Sequence, residues 1–366
     1  VALPAPGGVV QVGHRLGEPL AEAVPDDIRA QVRLLLLDDE PRLRRAAALL
    51  VANLAGEGAA DALLEKLKSE KLPAVRQDLL KVLGQPADPA ALSAVLAEVG
   101  SEYDNVAASA AAALARIAEK NPLDSRRHAE AVKALVERYE RITNSDDGAT
   151  LRSSLLTAMG VLGDKAFSSV LEGAVKDSVA TVRLAAVNGL ARLGEERSAG
   201  VIATLIANPG GDSDRGVRQA AITALGALGP VRYLQDILQR TDPAIETDAA
   251  VRKQAWDVTM KALSEADAPT LSAVLKKLAG RSDAADQRIQ IMQMHVALLK
   301  ANQSPKLPTA QRRLGLALLR ADRPSEAAAN LSEAHALYAA AKSSEAPKVW
   351  LEWVEALLAA DDPASI

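Results

Sequence analysis

Residues Val182–Gly194 read VRLAAVNGLARLG, and thirty-five positions further on Val217–Gly229 read VRQAAITALGALG. Val182, Ala186, Leu190 and Leu193 fall on one stripe of a helix, and Gly194 is the residue type on which a helix ends in the left-handed region. Each run carries an arginine second in line and an acid six residues before it, Asp177/Arg183 and Asp212/Arg218. The same spacing recurs at Asp38/Arg44, Glu70/Arg76, Asp146/Arg152 and Glu246/Arg252. Self-similarity at a period of roughly three dozen residues predicts a stack of helix pairs rather than a globular core.

Outward from Val182 the pattern holds. Lys165–Lys176 predicts the first helix of the same pair, with Phe167, Val170, Leu171 and Val175 on one face. The turn Asp177-Ser178-Val179-Ala180 has capping chemistry. One repeat upstream, Leu151, Arg152, Leu155, Met159, Leu162 and Gly163 restate the second helix. The run V-R-x-x-A-x-x-x-L-x-x-L-G, preceded by an acid, resembles the second helix of a HEAT repeat. Val182–Gly194 and Val217–Gly229 match closely. Residues 43–54, 75–84 and 151–163 match with drift, and 251–263 at the start only. The third repeat departs, because Val106 is followed by Ala107 and the arginine is missing. An eighth pair, at 268–278 and 284–300, is fainter.

A second pattern begins near Gln311. Leu314-Gly315, Leu318, the turn Asp322-Arg323-Pro324, Glu326-Ala327, Leu331 and Ala334 resemble a tetratricopeptide repeat. Residues 356–363 echo 317–324, which puts Trp350 at that family's tryptophan position and Trp353 opposite Leu314. The resemblances together imply an all-α fold, a right-handed α-α superhelix of HEAT type continuing into tetratricopeptide-like helices. The expected layout is an extended or disordered lead-in over 1–25, about eight HEAT-like pairs over 26–302, and one tetratricopeptide-like repeat with an unfinished second over 303–366. Breakers at Pro4, Pro6, Gly7, Gly8, Gly13, Gly17, Pro19 and Pro25 set the lead-in apart. The repeats argue for one elongated body.

Composition agrees. Hydrophobic residues make up 49% of the 366-residue chain but aromatics only 2%, so alanine and leucine carry the burial and helices can approach closely. Phe167 is the single phenylalanine. A net charge of −4 gives no global pull towards nucleic acid or acidic membranes. The absence of cysteine excludes disulfides, thiolate metal sites and cysteine nucleophiles, and fits cytoplasm or periplasm equally. No apolar run reaches the length of a membrane span. The chain begins at Val1, which is expected of a processed product or an excised piece.

No catalytic constellation is legible. His14, His128, His295 and His335 show neither HExxH nor HxxxH spacing, so no helical zinc site is expected, and neither a phosphate loop nor a nucleophile elbow is present. The acidic turns 144–148 and 211–214 have clustered oxygens but lack the remote bidentate glutamate of a calcium loop, which leaves helix capping. In HEAT repeats the acid and arginine positions form a ladder between neighbouring repeats. On that reading Arg183 reaches the acid of its own turn or of the next repeat, or bonds free turn carbonyls; the competing reading is an anion-binding stripe.

The expected function is a non-enzymatic scaffold that needs no cofactor or metal. It would bind protein partners, not nucleic acid or membrane, on a concave surface lined by second helices. Contact positions offset from the buried stripe are Leu184, Asn188, Gln219 and Thr223. Residues 276–323 hold ten Lys or Arg against three acids, Arg312 and Arg313 among them, which reads either as solvated helix faces or as a docking patch for an acidic partner. Trp350 and Trp353 share a helix face and either pack the terminal repeat or meet a partner. The same run also resembles the HEAT-repeat subunits of phycobilin lyases, which would make the chain an enzyme accessory. A third expectation is the solenoid region of a larger, exported, multidomain protein.

Overall fold

The computed structural model describes residues 24–54, 58–142 and 146–360, all of whose regular elements are helical. The expected lead-in lies almost wholly outside the described residues; helix begins at Asp26, directly after Pro25. Two compact units divide the chain: residues up to 205 with 212–224, and 206–211 with 225 onward.

The first unit is a run of helix pairs. These are α1 (Asp26–Leu34) with α2 (Pro41–Leu54), α3 (Ala59–Ser69) with α4 (Pro73–Gly84), and α5 (Leu92–Val99) with α6 (Asp104–Lys120). Next come α7 (Ser125–Glu140) with α8 (Ala149–Leu162), then α9 (Ser168–Ala174) with α10 (Ala180–Leu193). α11 (Ala199–Ala203) precedes α12 (Arg215–Leu228), within which the boundary between the units falls. The helix expected over 165–176 is shorter: a 3-10 turn at Lys165–Phe167 precedes α9, because the Asp164 carboxylate accepts the Ala166 N–H and tightens the first turn.

The second helices pack on one another in order, α2 on α4, α4 on α6, α6 on α8 and α8 on α10. Small residues make that possible. A Cβ added to Gly84 would lie 2.8 Å from Ala113 Cβ, and one added to Gly160 would lie 2.7 Å from the Gly189 Cα. The closeness is enough for Arg192 on α10 to reach Glu119 on α6, across α8, at 3.2 Å. Between first and second helices lies the core: Phe167, Leu171, Val182 and Leu190 are fully buried. Gly163 and Gly194 end α8 and α10 at φ +67° and +69°, where only glycine is unstrained. At the start of the run Leu34, Leu37, Leu43, Leu49 and Leu50 stay exposed on α1, α2 and the turn between them.

The second unit holds the end of α12, α13 (Leu234–Gln239), α14 (Ala249–Ser264), α15 (Ala268–Lys277), α16 (Ala285–Ala301), α17 (Leu307–Arg320), α18 (Pro324–Ala340) and α19 (Ala346–Ala359). Leu225 is fully buried. One apolar cluster gathers Leu263, Leu271, Val274 and Ile291, and another Leu314, Leu318, Leu331 and Val349. α16 feeds both, with Ile291 in the first and Ile289 and Val296 in the second.

Candidate functional site

The repeated arginines sit one turn into each second helix, with the guanidinium folded back over the preceding turn. Arg183 shows the arrangement in full. Its Nη1 donates to the carbonyls of Asp177 (2.8 Å) and Ser178 (2.9 Å), groups of its own turn that no helix satisfies. Its Nε and Nη2 donate to Asp212 Oδ2 (2.6 Å) and Oδ1 (2.8 Å), the acid of the next repeat. Asp212 accepts the Asp214 N–H as well, so one carboxylate caps its own turn and ties down the arginine before it. Burial pushes the Asp212 carboxyl up, but Arg183 and the Asp214 N–H outweigh it and leave the pKa lowered.

The other arginines repeat the motif. Arg44 donates to the carbonyls of Asp38 and Asp39 and, through Nε, to Glu70 Oε2 at 2.8 Å. Burial again opposes ionisation of Glu70, yet Arg44, the Leu72 N–H and Lys66 bring its pKa down to about 2. Arg152, only 2% exposed, donates to both oxygens of Asp177 at 2.7 and 3.0 Å. Arg218 holds the carbonyls of Asp212 and Ser213, and Arg252 those of Glu246 and Thr247. Asp146, spaced six residues before Arg152, instead accepts the Ser178 hydroxyl at 3.1 Å. Arg76 chelates Glu98, an acid outside the six-residue spacing.

Three arginines that no spacing marks complete the ladder. Ala107 leaves its turn without a guanidinium, and Arg138 on α7 supplies one, donating Nε to the Ser101 carbonyl at 3.1 Å and Nη2 to Asp104. Ser101 is six residues before Ala107, the carbonyl an arginine there would take. In the second unit Arg240 donates to the carbonyls of Ile206 (2.9 Å) and Ala207 (2.6 Å), and Arg281 to the Thr241 carbonyl (2.7 Å) while lying over the Trp256 ring. Each comes at or just past the end of a first helix. Of the acidic turns, 143–145 lie outside the described residues; in the other, Asp214 Oδ1 accepts the Val217 N–H as a helix cap. Among the described residues no group of three or more His, Asp or Glu is arranged to hold a metal ion.

With the arginines folded into the turns, the middle of the second helices is left open. Asn188 on α10 and Thr223 on α12 are exposed, while Leu184 and Gln219, four residues earlier, are half-buried. On α4, α6 and α8 the same face forms a groove of about 520 Å³ lined by Gln77, Lys81, Asn105, Ala108, Arg116 and Ser154.

The basic stretch of the second unit sorts into two sets. Arg312 is bound to Glu345 at 2.8 Å and to both oxygens of Glu352, tying α17 to α19, and these bonds raise its pKa. Lys300 meets Glu333 and Arg323 meets Glu326. In contrast, Lys276 on α15, Arg288 on α16, and Lys306 and Arg313 at and on α17 converge on one cleft of about 640 Å³. Leu275, Met292, Leu299 and Ala310 give it an apolar lining, and among the described residues no carboxylate lines it. His295 also faces it; burial first, then Lys306 and Arg313, hold its pKa below the usual histidine value. The two terminal tryptophans part company: Trp353 packs into the core and stacks on His335 with ring centroids 5.9 Å apart, whereas Trp350 is 44% exposed.

The fold is thus an all-α stack of helix pairs of the HEAT-type solenoid class. Residues 170–255 match the family profile of HEAT repeats. No curated protein sequence matches significantly. Among solved structures, the chain is similar to a mutant of the karyopherin Kap121p, at 15% identity and a TM-score of 0.53, covering 93% of this chain and 40% of that one. It is also similar to the complex of CpcE and CpcF of phycocyanin lyase from Nostoc sp. PCC7120 (17% identity, 81% and 100% covered, TM-score 0.42). A third is the archaeal HEAT-like repeats protein from Thermococcus onnurineus NA1 (17%, 63% and 95%, 0.44). Among the described residues no helix is long and apolar enough to cross a membrane.

Proposed function

We propose that the chain is a non-enzymatic repeat scaffold that holds protein partners on the face of its second helices. The observation that carries this reading is the direction of the ladder. At Arg183 and Asp212 the guanidinium and the carboxylate are spent on turn carbonyls, a turn N–H group and each other, so neither is offered to a ligand. What the second helices offer instead is a broad open surface of mixed polar and apolar character: the groove at Gln77, Asn105 and Ser154, and the exposed Asn188 and Thr223. Such a surface suits contact spread over several repeats rather than a single deep pocket. We further read α17–α19 as a tetratricopeptide-like unit that continues the scaffold. This is supported by Gly315, where an added Cβ would meet Leu331 Cγ at 2.6 Å, so that α17 and α18 pack with no room for a larger residue.

Affinity purification of the full chain from its native host, with cross-link mapping of whatever is recovered, tests the proposal. Asn188→Arg with Thr223→Arg changes two exposed positions and should leave stability within about 0.5 kcal/mol of the parent. Recovery of the cross-linked partner should fall at least tenfold. Undiminished recovery, or cross-links confined to first helices, would overturn the assignment of the binding face.

A further inference from the structure

The cleft between α15, α16 and α17 gathers charge without balancing it. Lys276, Arg288, Lys306 and Arg313 line it, and among the described residues none of the four has a carboxylate within ion-pair distance, although acids pair the neighbouring Arg312, Lys300 and Arg323. Like charges held together without a counter-charge repel, and an anion that enters relieves them. Arg288 adds a more specific sign: its Nε is closed off from solvent and has no hydrogen-bond partner. The floor is of a different kind. Arg288, Met292, His295 and Leu299 form one stripe of α16, with Met292 and Leu299 as apolar body, and Leu275 and Ala310 flank it from α15 and α17.

Size and chemistry together narrow the occupant. A volume of about 640 Å³ lies within the usual range of ligand sites. A compact anion such as phosphate would engage a few of the cations and leave the methionine and leucine floor unused. A segment that alternates carboxylates with aliphatic side chains uses both, and methionine adapts to such side chains. We propose that this cleft binds an acidic segment of a protein partner, carboxylates on Lys276, Arg288, Lys306 and Arg313 and aliphatic side chains on Met292 and Leu299. This rests on the scaffold reading above, and adds to it a second place of contact and the chemical class of what binds there.

The test uses the purified full chain and a fluorescein-labelled peptide of about a dozen residues built from Glu, Asp and Leu, beside a counterpart with Lys replacing the acids. The acidic peptide should bind, weakening as salt is raised, and the basic one should not. Lys276→Glu, Lys306→Glu and Arg313→Glu combined, all exposed positions, should lower affinity at least tenfold; Lys306→Gln with Arg313→Gln, a gentler pair, should lower it at least threefold. Binding should also raise the His295 midpoint in an NMR titration, since a bound anion offsets Lys306 and Arg313. Equal binding by the parent and both variants would overturn the proposal, as would displacement of the peptide by inorganic phosphate at matched charge. If the peptide fails while partner recovery still depends on Asn188 and Thr223, the cleft is refuted and the scaffold stands. If the peptide binds but the Asn188 and Thr223 variant recovers the partner in full, the second-helix face is refuted and the cleft stands.

Discussion

Arg183, in the first turn of α10, and Arg313, midway along α17, are the same residue type on helices of the two units, and the protein uses them in opposite ways. Arg183 in the first unit spends three nitrogens on two carbonyls and a carboxylate. Arg313 in the second unit stands with three other cations at a cleft that no acid lines among the described residues. The difference teaches where to look for function in a repeat protein. A guanidinium that recurs with a matched acid is part of the frame, whereas a cation that neither recurs nor pairs is available to something outside the chain.

The comparison breaks most visibly at Arg152. This side chain is 2% exposed and holds both oxygens of Asp177, whose side chain is also buried. Arg152→Ala strands that carboxylate and should cost about 3–5 kcal/mol by denaturant unfolding. A loss below about 1 kcal/mol would show that the ladder is ornamental. Arg138→Ala tests the rung that comes from a first helix. It frees the Ser101 carbonyl and releases Asp104, whose side chain is half open to solvent, so the expected loss is smaller, about 1–3 kcal/mol. No loss would mean that the turn of the third repeat needs no guanidinium.

Acid sharpens the same contrast. The Glu70 carboxyl is brought from 4.5 to about 2 in the folded chain, so its contribution is present above pH 4.5 and is lost as pH falls through about 2. At about 1.4 kcal/mol per pKa unit the effect is at most about 3.5 kcal/mol, and solvent at the edge of the turn will reduce it. Stability followed from pH 6 down to pH 3 should therefore drop in the parent and drop less in Glu70→Gln, which starts lower. Parallel losses in the two would place the acid sensitivity elsewhere.

Much of this frame is legible in the sequence, because it repeats. The Asp/Glu-x5-Arg spacing, the stripe through Leu190 and Leu225 and the glycine after α10 are local signals that recur in several repeats. What escapes is whatever depends on another helix. The spacing pairs Arg183 with Asp177, but the side chain takes the carbonyl of Asp177 and the carboxylate of Asp212, twenty-nine residues on. Arg138 and Arg240 have no motif, since they answer a gap or a turn some thirty-five residues away. Arg312 and Arg313 are adjacent and equally basic, yet about 100° of helix separates them. One therefore faces Glu345 and Glu352 on α19, the other the cleft. Net charge over residues 276–323 points to the region and cannot choose between them.

The smallest effect on stability belongs to the cleft, and it decides whether the comparison is right. Lys306→Ala with Arg313→Ala removes two exposed charges that bond to no acid among the described residues, so unfolding should shift by no more than about 0.5 kcal/mol, in contrast to the ladder. The same pair should act on His295. Burial is the larger cause of its lowered pKa and the two cations are the lesser ones, so removing them should raise the midpoint without returning it to 6.5. The sign follows from the charge: with fewer cations facing the ring, adding a proton is less opposed. It also reaches stability. A histidine held below its ordinary value supports the fold above that value and costs stability as pH falls through the folded one, so the variant should lose less than the parent between neutral and mildly acid pH. An unmoved His295 resonance would mean that Lys306 and Arg313 do not face the ring, and the cleft would lose the feature that separates it from any other solvated helix face.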